Sequence, residues 1–151
     1  MKTVRGDLLQ LALAGEFDVI VHGCNCQCTM GAGIAKAIRA TFPEAFEADL
    51  ATEKGSAAKL GTISWAEVER GGQRLVVVNA YTQFHYRGRG PHVDYAAVAS
   101  SMRAVKERFS GKRIGYPRIG AGLGGGDWER IVRIIDTELR EEDHTLVEFA
   151  K

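Results

Sequence analysis

Val19-Ile20-Val21-His22-Gly23-Cys24-Asn25-Cys26-Gln27-Cys28-Thr29-Met30-Gly31-Ala32-Gly33-Ile34-Ala35 changes character twice within one stretch. It opens on three β-branched apolar residues, the pattern of a strand covered on both faces in a mainly parallel sheet. A polar segment follows and closes on glycines, and the spacing beyond it predicts a helix over residues 34–40. Strand, glycine-rich loop and helix therefore follow one another directly. The chain repeats this plan once. A strand expected at Arg113 to Tyr116 leads into Pro117-Arg118-Ile119-Gly120-Ala121-Gly122-Leu123-Gly124-Gly125-Gly126, and a helix is expected from Trp128.

Working outward, Leu75 to Val78 is a second apolar β-branched run. Thr62 to Glu67 and Thr145 to Phe149 are further strand candidates, with Lys2 to Arg5 as an edge strand. Tyr95, Val98, Met102, Val105 and Phe109 fall three or four apart, as do Trp128, Ile131, Val132, Ile135 and Leu139, each set forming one apolar helical stripe. Leu8 to Ala14 reads as a short first helix stopped by Gly15. Thr41-Phe42-Pro43-Glu44 reads as a capping box opening a helix that ends near Gly55. Strands alternating with helices predict a three-layer α/β sandwich, in which ligands sit beyond the carboxyl ends of the strands.

Composition narrows the function class. The 151 residues fit a single domain spanning 1–151, and 45% are hydrophobic and 26% charged, ordinary for a globular protein. Twenty basic residues against nineteen acidic ones make a poor footprint for a protein that lives on nucleic-acid phosphates. The local exception is His85-Tyr86-Arg87-Gly88-Arg89-Gly90-Pro91-His92, which is either a solvated loop or a substrate-facing one. Nothing resembles a signal peptide or a membrane span, so residence in the cytoplasm without membrane association is expected. Cys24, Cys26 and Cys28 have the wrong spacing for a zinc site or a disulfide framework; reduced packed thiols, and no metal, are expected.

Glycine lets backbone approach a ligand closely, and the free N–H groups of a helix start favour an anion. Two such loops at one sheet edge suit a diphosphate. Other phosphate motifs do not fit. Gly31-Ala32-Gly33-Ile34-Ala35-Lys36 has lysine where a Rossmann fingerprint needs its third small residue, and no P-loop Gly-Lys-Ser/Thr occurs.

Together with Gly6-Asp7-Leu8 and Asn79-Ala80-Tyr81-Thr82-Gln83, the segments His22 to Cys26, Met30 to Ala35 and Pro117 to Leu123 resemble the macro domain family. Five segments in order cover essentially the whole chain. The resemblance looks nearest to the branch of ADP-ribose 1''-phosphate phosphatases and ADP-ribosyl-glutamate hydrolases. It implies a three-layer α/β/α sandwich with a central mixed, mainly parallel sheet, acting as a monomer without a cofactor. The ligand it implies is ADP-ribose or a derivative, free or attached to protein or nucleic acid.

The resemblance also implies residue roles. Asp7, with Leu8 beside it, would hold the adenine amino group, although Asp7 is equally a helix cap. Phe149 would stack on adenine or serve the core. Backbone of Met30, Gly31, Ala32, Gly33, Ile34 and Ala35, and of Pro117, Ile119, Gly120, Ala121, Gly122, Leu123 and Gly124, would surround the diphosphate. Asn25 would address the distal ribose, and Asn25 and Gln83, with His22, are the catalytic candidates and ligand contacts at that end. His22 is either a general base for water or a buried hydrogen-bonded histidine. Asp127 is first a helix cap. Two departures bear on chemistry: lysine-dependent hydrolases of the family carry lysine at Gln83 and an acid at Gly124, and glutamine cannot form the sugar adduct a lysine can. The expectation is a metal-independent hydrolase using water, with a non-catalytic ADP-ribose reader as the alternative. A nucleic-acid-binding domain using Tyr86, Arg87 and Arg89 is the third reading.

Overall fold

A computed structural model describes residues 1–88 and 90–150. The elements in order are β1 (Lys2–Gly6), α1 (Leu8–Leu13), β2 (Val19–Asn25), α2 (Gly33–Thr41), α3 (Pro43–Leu50), β3 (Ile63–Arg70), β4 (Gln73–Gln83), α4 (Tyr95–Phe109), β5 (Arg113–Tyr116), α5 (Trp128–Glu138) and β6 (Asp143–Phe149). They build one six-stranded sheet in the order β1-β6-β5-β2-β4-β3. Every neighbouring pair is parallel except β3 and β4, so the sheet is mixed and mainly parallel.

Alternation along the strands divides the core in two. Ile20, Val77, Tyr81 and Val147 point to one face, where Leu8, Leu9, Ile38, Phe42 and Ala45 from α1 to α3 cover them. Val19, Val21, Val78, Ile114 and Tyr116 point to the other, under Val98, Met102, Ile131 and Ile135 of α4 and α5. Both faces are thus buried, which is why these strands read as continuous apolar runs.

Three expectations are corrected. The strand seen in Leu75 to Val78 continues to Gln83, because Asn79 to Gln83 pair with β2 and with β3 before it. The strand at Thr62 to Glu67 runs instead from Ile63 to Arg70, into a two-residue turn with positive φ at Gly71 and Gly72. Thr41 is no cap: α3 starts after Phe42 without a side-chain cap, with Pro43 in its first turn, and stops at Leu50 rather than near Gly55. No helix among the described residues is long and apolar enough to cross a membrane.

One feature of the topology places the site. The adjacent parallel strands β2 and β5 send their following helices to opposite faces, α2 to one and α5 to the other. Their loops diverge and leave a crevice at the carboxyl rim, where doubly wound sheets bind ligands.

Candidate active site

A cleft of about 540 Å³ occupies that crevice. One wall is the loop after β2, with Asn25, Thr29, Met30, Gly31, Ala32, Gly33, Ile34 and Ala35. The facing wall is the loop after β5, with Pro117, Arg118, Ile119, Gly120, Gly122, Leu123 and Gly124. The end of β4 supplies Thr82 and Gln83. The two glycine-rich loops therefore do face one another. Gly33 has φ +58°, and a β-carbon there would lie 3.1 Å from Leu123 Cδ1. Gly124 is pinned in the same way: a β-carbon would meet Gly120 O at 2.8 Å and Gln83 Oε1 at 3.1 Å. Gly124 O in turn accepts from the N–H groups of His92 and Val93, tying this loop to the segment after β4.

The helix caps are unequal. Asp7, Asp94 and Asp127 each accept a hydrogen bond from backbone N–H groups of α1, α4 and α5. At α2 the cap is Ala32, with no side-chain acceptor. The first-turn N–H groups of α2 therefore open on the cleft without a carboxylate to occupy them, and an anion is their natural partner. Arg118 adds positive charge to the facing wall, where it is paired with Glu148.

Asn25 first builds its own loop. Its Oδ1 accepts from Gln27 N at 2.7 Å and its Nδ2 donates to Thr29 Oγ1 at 2.9 Å. A second lone pair and a second N–H remain for a ligand. Gln83 donates through Nε2 to His85 O at 2.9 Å, which leaves Oε1 and one N–H.

His22 is placed elsewhere. It is 0% exposed and does not line the cleft. Its Nε2 lies 2.6 Å from Asn79 Oδ1. Because Asn79 Nδ2 donates to the Ala45 carbonyl at 2.9 Å, Oδ1 must accept, so Nε2 carries the proton. Burial pushes the imidazole down to about 4, only partly opposed by the Asn79 bond. A histidine that is neutral, fully enclosed and committed to Asn79 is in no position to take a proton from water in the cleft. The general-base role expected for it is set against this placement, in which the ring is bonded to Asn79 and absent from the cleft lining.

Other expected residues lie beside the cleft rather than in it. Leu8 is buried in the core, and Ala121, within the β5 loop, packs against the core on the α4–α5 side. Asp7 caps α1 through Oδ1, which accepts from Leu9 N and Gln10 N. Phe149 ends β6 directly opposite Gly6 and is 72% exposed. Asp7 and Phe149 thus share the outer end of the same rim. Asp127 is the N-cap of α5. Arg89 lies outside the described residues.

Several lining residues had no role assigned from the sequence: Gly23, Cys24, Thr29, Asp49, Thr82 and Arg118. Tyr86 comes from the basic loop, so part of that loop does reach the cleft. Asp49 had no local signal, since it stands in an ordinary helical segment beside Glu44 and Glu47. Two shielded polar atoms among these residues, Asp49 Oδ2 and Thr82 Oγ1, have no hydrogen-bond partner among the described residues.

A family model described as Macro domain matches residues 21–135. An uncharacterised 17.5 kDa protein from the tk–vs intergenic region of Enterobacteria phage T4 is 38% identical over 154 residues, covering 99% of this chain and 96% of its own. A Bacteroides thetaiotaomicron protein of unknown function superposes with a TM-score of 0.79 at 26% identity, covering 97% of this chain and 96% of its own. The Trypanosoma brucei macrodomain, solved in complex with ADP-ribose, superposes at 0.64 with 18% identity, covering 99% of this chain and 63% of its own. Matched by the family model over most of its length and carrying the facing glycine-rich loops in order, the chain belongs to the macro domain family.

Proposed function

We propose that the cleft binds ADP-ribose or a derivative of it, with the diphosphate held between the Met30 to Ala35 and Pro117 to Gly124 loops. The observation that carries this reading is the uncapped start of α2, with Gly33 at positive φ, opening on the β5 loop at Leu123. Adenine lies at the β1–β6 end of the rim. Phe149 offers an exposed ring there, and Asp7 keeps Oδ2 for the amino group while Oδ1 caps α1. From β1 to β2 is three strand spacings, about 14 Å, which suits an extended dinucleotide-like ligand. The distal ribose then lies at the β2–β4 end, beside Asn25 and Gln83.

At that end the proposed chemistry is hydrolysis, with water attacking either a phosphate monoester carried on the distal ribose or its glycosidic bond. The bond cut is either a phosphate monoester, as in ADP-ribose 1''-phosphate, or the link to an ADP-ribosylated macromolecule. Asn25 and Gln83 each retain a donor and an acceptor with which to orient water and sugar. His22 supports this end from within the sheet, holding Asn79 and not the substrate. A second reading, a reader without turnover, is favoured by one observation: Gln83 and Gly124 supply no ionisable group. Calorimetric titration with ADP-ribose followed by assays on both substrates separates the two. Release of phosphate or ADP-ribose supports the hydrolase, binding without release supports the reader, and absence of binding removes both.

A further inference from the structure

Another concavity lies at the rim of the sheet opposite the cleft. Helix α4 ends at Phe109, whose ring meets Trp65 of β3 edge-on at 5.8 Å. The β3–β4 hairpin runs on past that point. Ala66 and Val68 turn to the α3 side of the sheet, and Trp65 and Val76 turn to the α4 side. Glu67 lies opposite Val76, and Glu69 opposite Arg74, on the same α4-side face. Trp65 and Val76 are only partly buried there, and Glu67, Glu69 and Arg74 are exposed. The overhanging face and the end of α4 enclose a groove of about 680 Å³.

The two lips of this groove carry opposite charge. Glu67 and Glu69 stand on the hairpin lip, where Arg74 offsets one of them. Arg108 and Lys112 stand on the other lip, in the last turn of α4 and just beyond it. Among the described residues none of these five forms an ion pair, whereas Arg70 on the other face of the hairpin is bonded to Glu44, and Arg113 nearby to Asp18. Arg108 is held over the indole of Trp65, with Cζ 4.6 Å from the ring centre, and not on a carboxylate.

This arrangement selects the occupant. A polyanion is turned away by Glu67 and Glu69 on one lip, and a polycation by Arg108 and Lys112 on the other. A surface that carries its own complement suits a copy of itself. A two-fold turn exchanges the lips and sets an acidic one against a basic one twice over. We propose that the groove pairs two copies of this chain, the overhanging hairpin of each lying along the end of α4 of the other. Glu67 and Glu69 of one copy then face the partner's Arg108 and Lys112, and Trp65 and Val76 form the apolar floor between them. Two short lips and a small floor make a weak pair, which forms as concentration rises and loosens in salt. The monomer implied by the family resemblance is the dilute state. The groove lies at the starts of β2 and β4 and the cleft beyond their ends, so pairing leaves both clefts open.

The test is sedimentation of the full chain from micromolar to near-millimolar concentration, in low and in high salt, alongside two charge-reversed variants. One carries Glu67→Lys and Glu69→Lys, the other Arg108→Glu and Lys112→Glu. The wild-type mass is expected to climb toward that of two chains, with association about tenfold weaker in high salt. Each variant alone presents like charge on both lips and should lose about tenfold or more in association. An equimolar mixture of the two should regain it, because each lip again meets its opposite. All four side chains are exposed, so the fold should stand. Where a reversal melts early, Glu67→Gln with Glu69→Gln removes the charge alone and should show the same direction of loss. A wild-type mass fixed at one chain overturns the proposal. So do variants that pair as the wild type does, a mixture that stays as single chains, or pairing that tightens in salt. None of these residues touches the cleft, so the outcome is independent of the ADP-ribose reading.

Discussion

Gly33 and Leu123 stand face to face across the cleft, close enough that a β-carbon on Gly33 would come within 3.1 Å of Leu123 Cδ1. One belongs to the loop after β2 and the other to the loop after β5, so their contact marks where two separate loops close on one space. Leu123 is 72% exposed, and nothing in the fold requires an apolar side chain there. A ligand seated between the loops would cover it.

Gly33→Ala strains a left-handed residue and narrows this gap. The strain predicts a loss of about 1 kcal/mol in stability, measured by urea unfolding. Pressure on Leu123 predicts ADP-ribose binding weakened by about tenfold, equivalent to about 1.4 kcal/mol. Leu123→Ala in the same chain should restore part of the affinity and none of the stability.

Ala32→Asp separates folding from binding. A carboxylate at the start of α2 would take the N–H groups that now open on the cleft. Capping of this kind raises stability by about 1 kcal/mol. The same carboxylate excludes an anion, so the melting temperature should rise while ADP-ribose affinity falls. Both moving in the same direction would count against the assignment of the diphosphate.

His22 predicts a pH dependence of stability. Its folded value is near 4 against 6.5 in a free chain. Above 6.5 the ring is neutral in both states and contributes no slope. Between 6.5 and 4 the unfolded chain takes up a proton that the folded one refuses, so stability falls as pH falls, by about 3 kcal/mol when complete. Burial lowers His144 as well, which acts in the same sense. Urea unfolding at pH 7.5 and 5 measures the slope, and His22→Phe should reduce it. An imidazole proton resonance of His22 that titrates near 6.5 would contradict the enclosure.

The helices α4 and α5 and the apolar starts of strands β2 and β4 were legible because three- and four-residue spacing and short β-branched runs are local signals. So were the two loops, since glycine at a strand-to-helix junction has a backbone reason. The antiparallel β3–β4 pair had its signal in Gly71-Gly72 between two strands, a pattern suited to a two-residue turn. Asp49 had none. Its burial comes from Tyr81 and from the Cys26 to Cys28 segment, both distant in the chain. His22 was ambiguous for the opposite reason: its place at a strand end suits a ligand contact, and only the side chain of Asn79 on the neighbouring strand reveals where the ring is committed.

Gly124→Ala tests the second wall. A β-carbon would meet the Gly120 carbonyl at 2.8 Å, a backbone atom that cannot swing aside. The β5 loop must shift, with loss of affinity and of the hydrogen bonds from His92 and Val93. Faster amide exchange at those two residues reads the shift directly.

The central claim is that both loops grip one diphosphate. Titrating isotopically labelled protein with ADP-ribose and following backbone amides tests it most directly. Gly33 and Ile34 on one wall and Gly122 and Leu123 on the other should shift together, saturating at the same ligand concentration. Shifts confined to one loop, or two loops saturating at different concentrations, would contradict it.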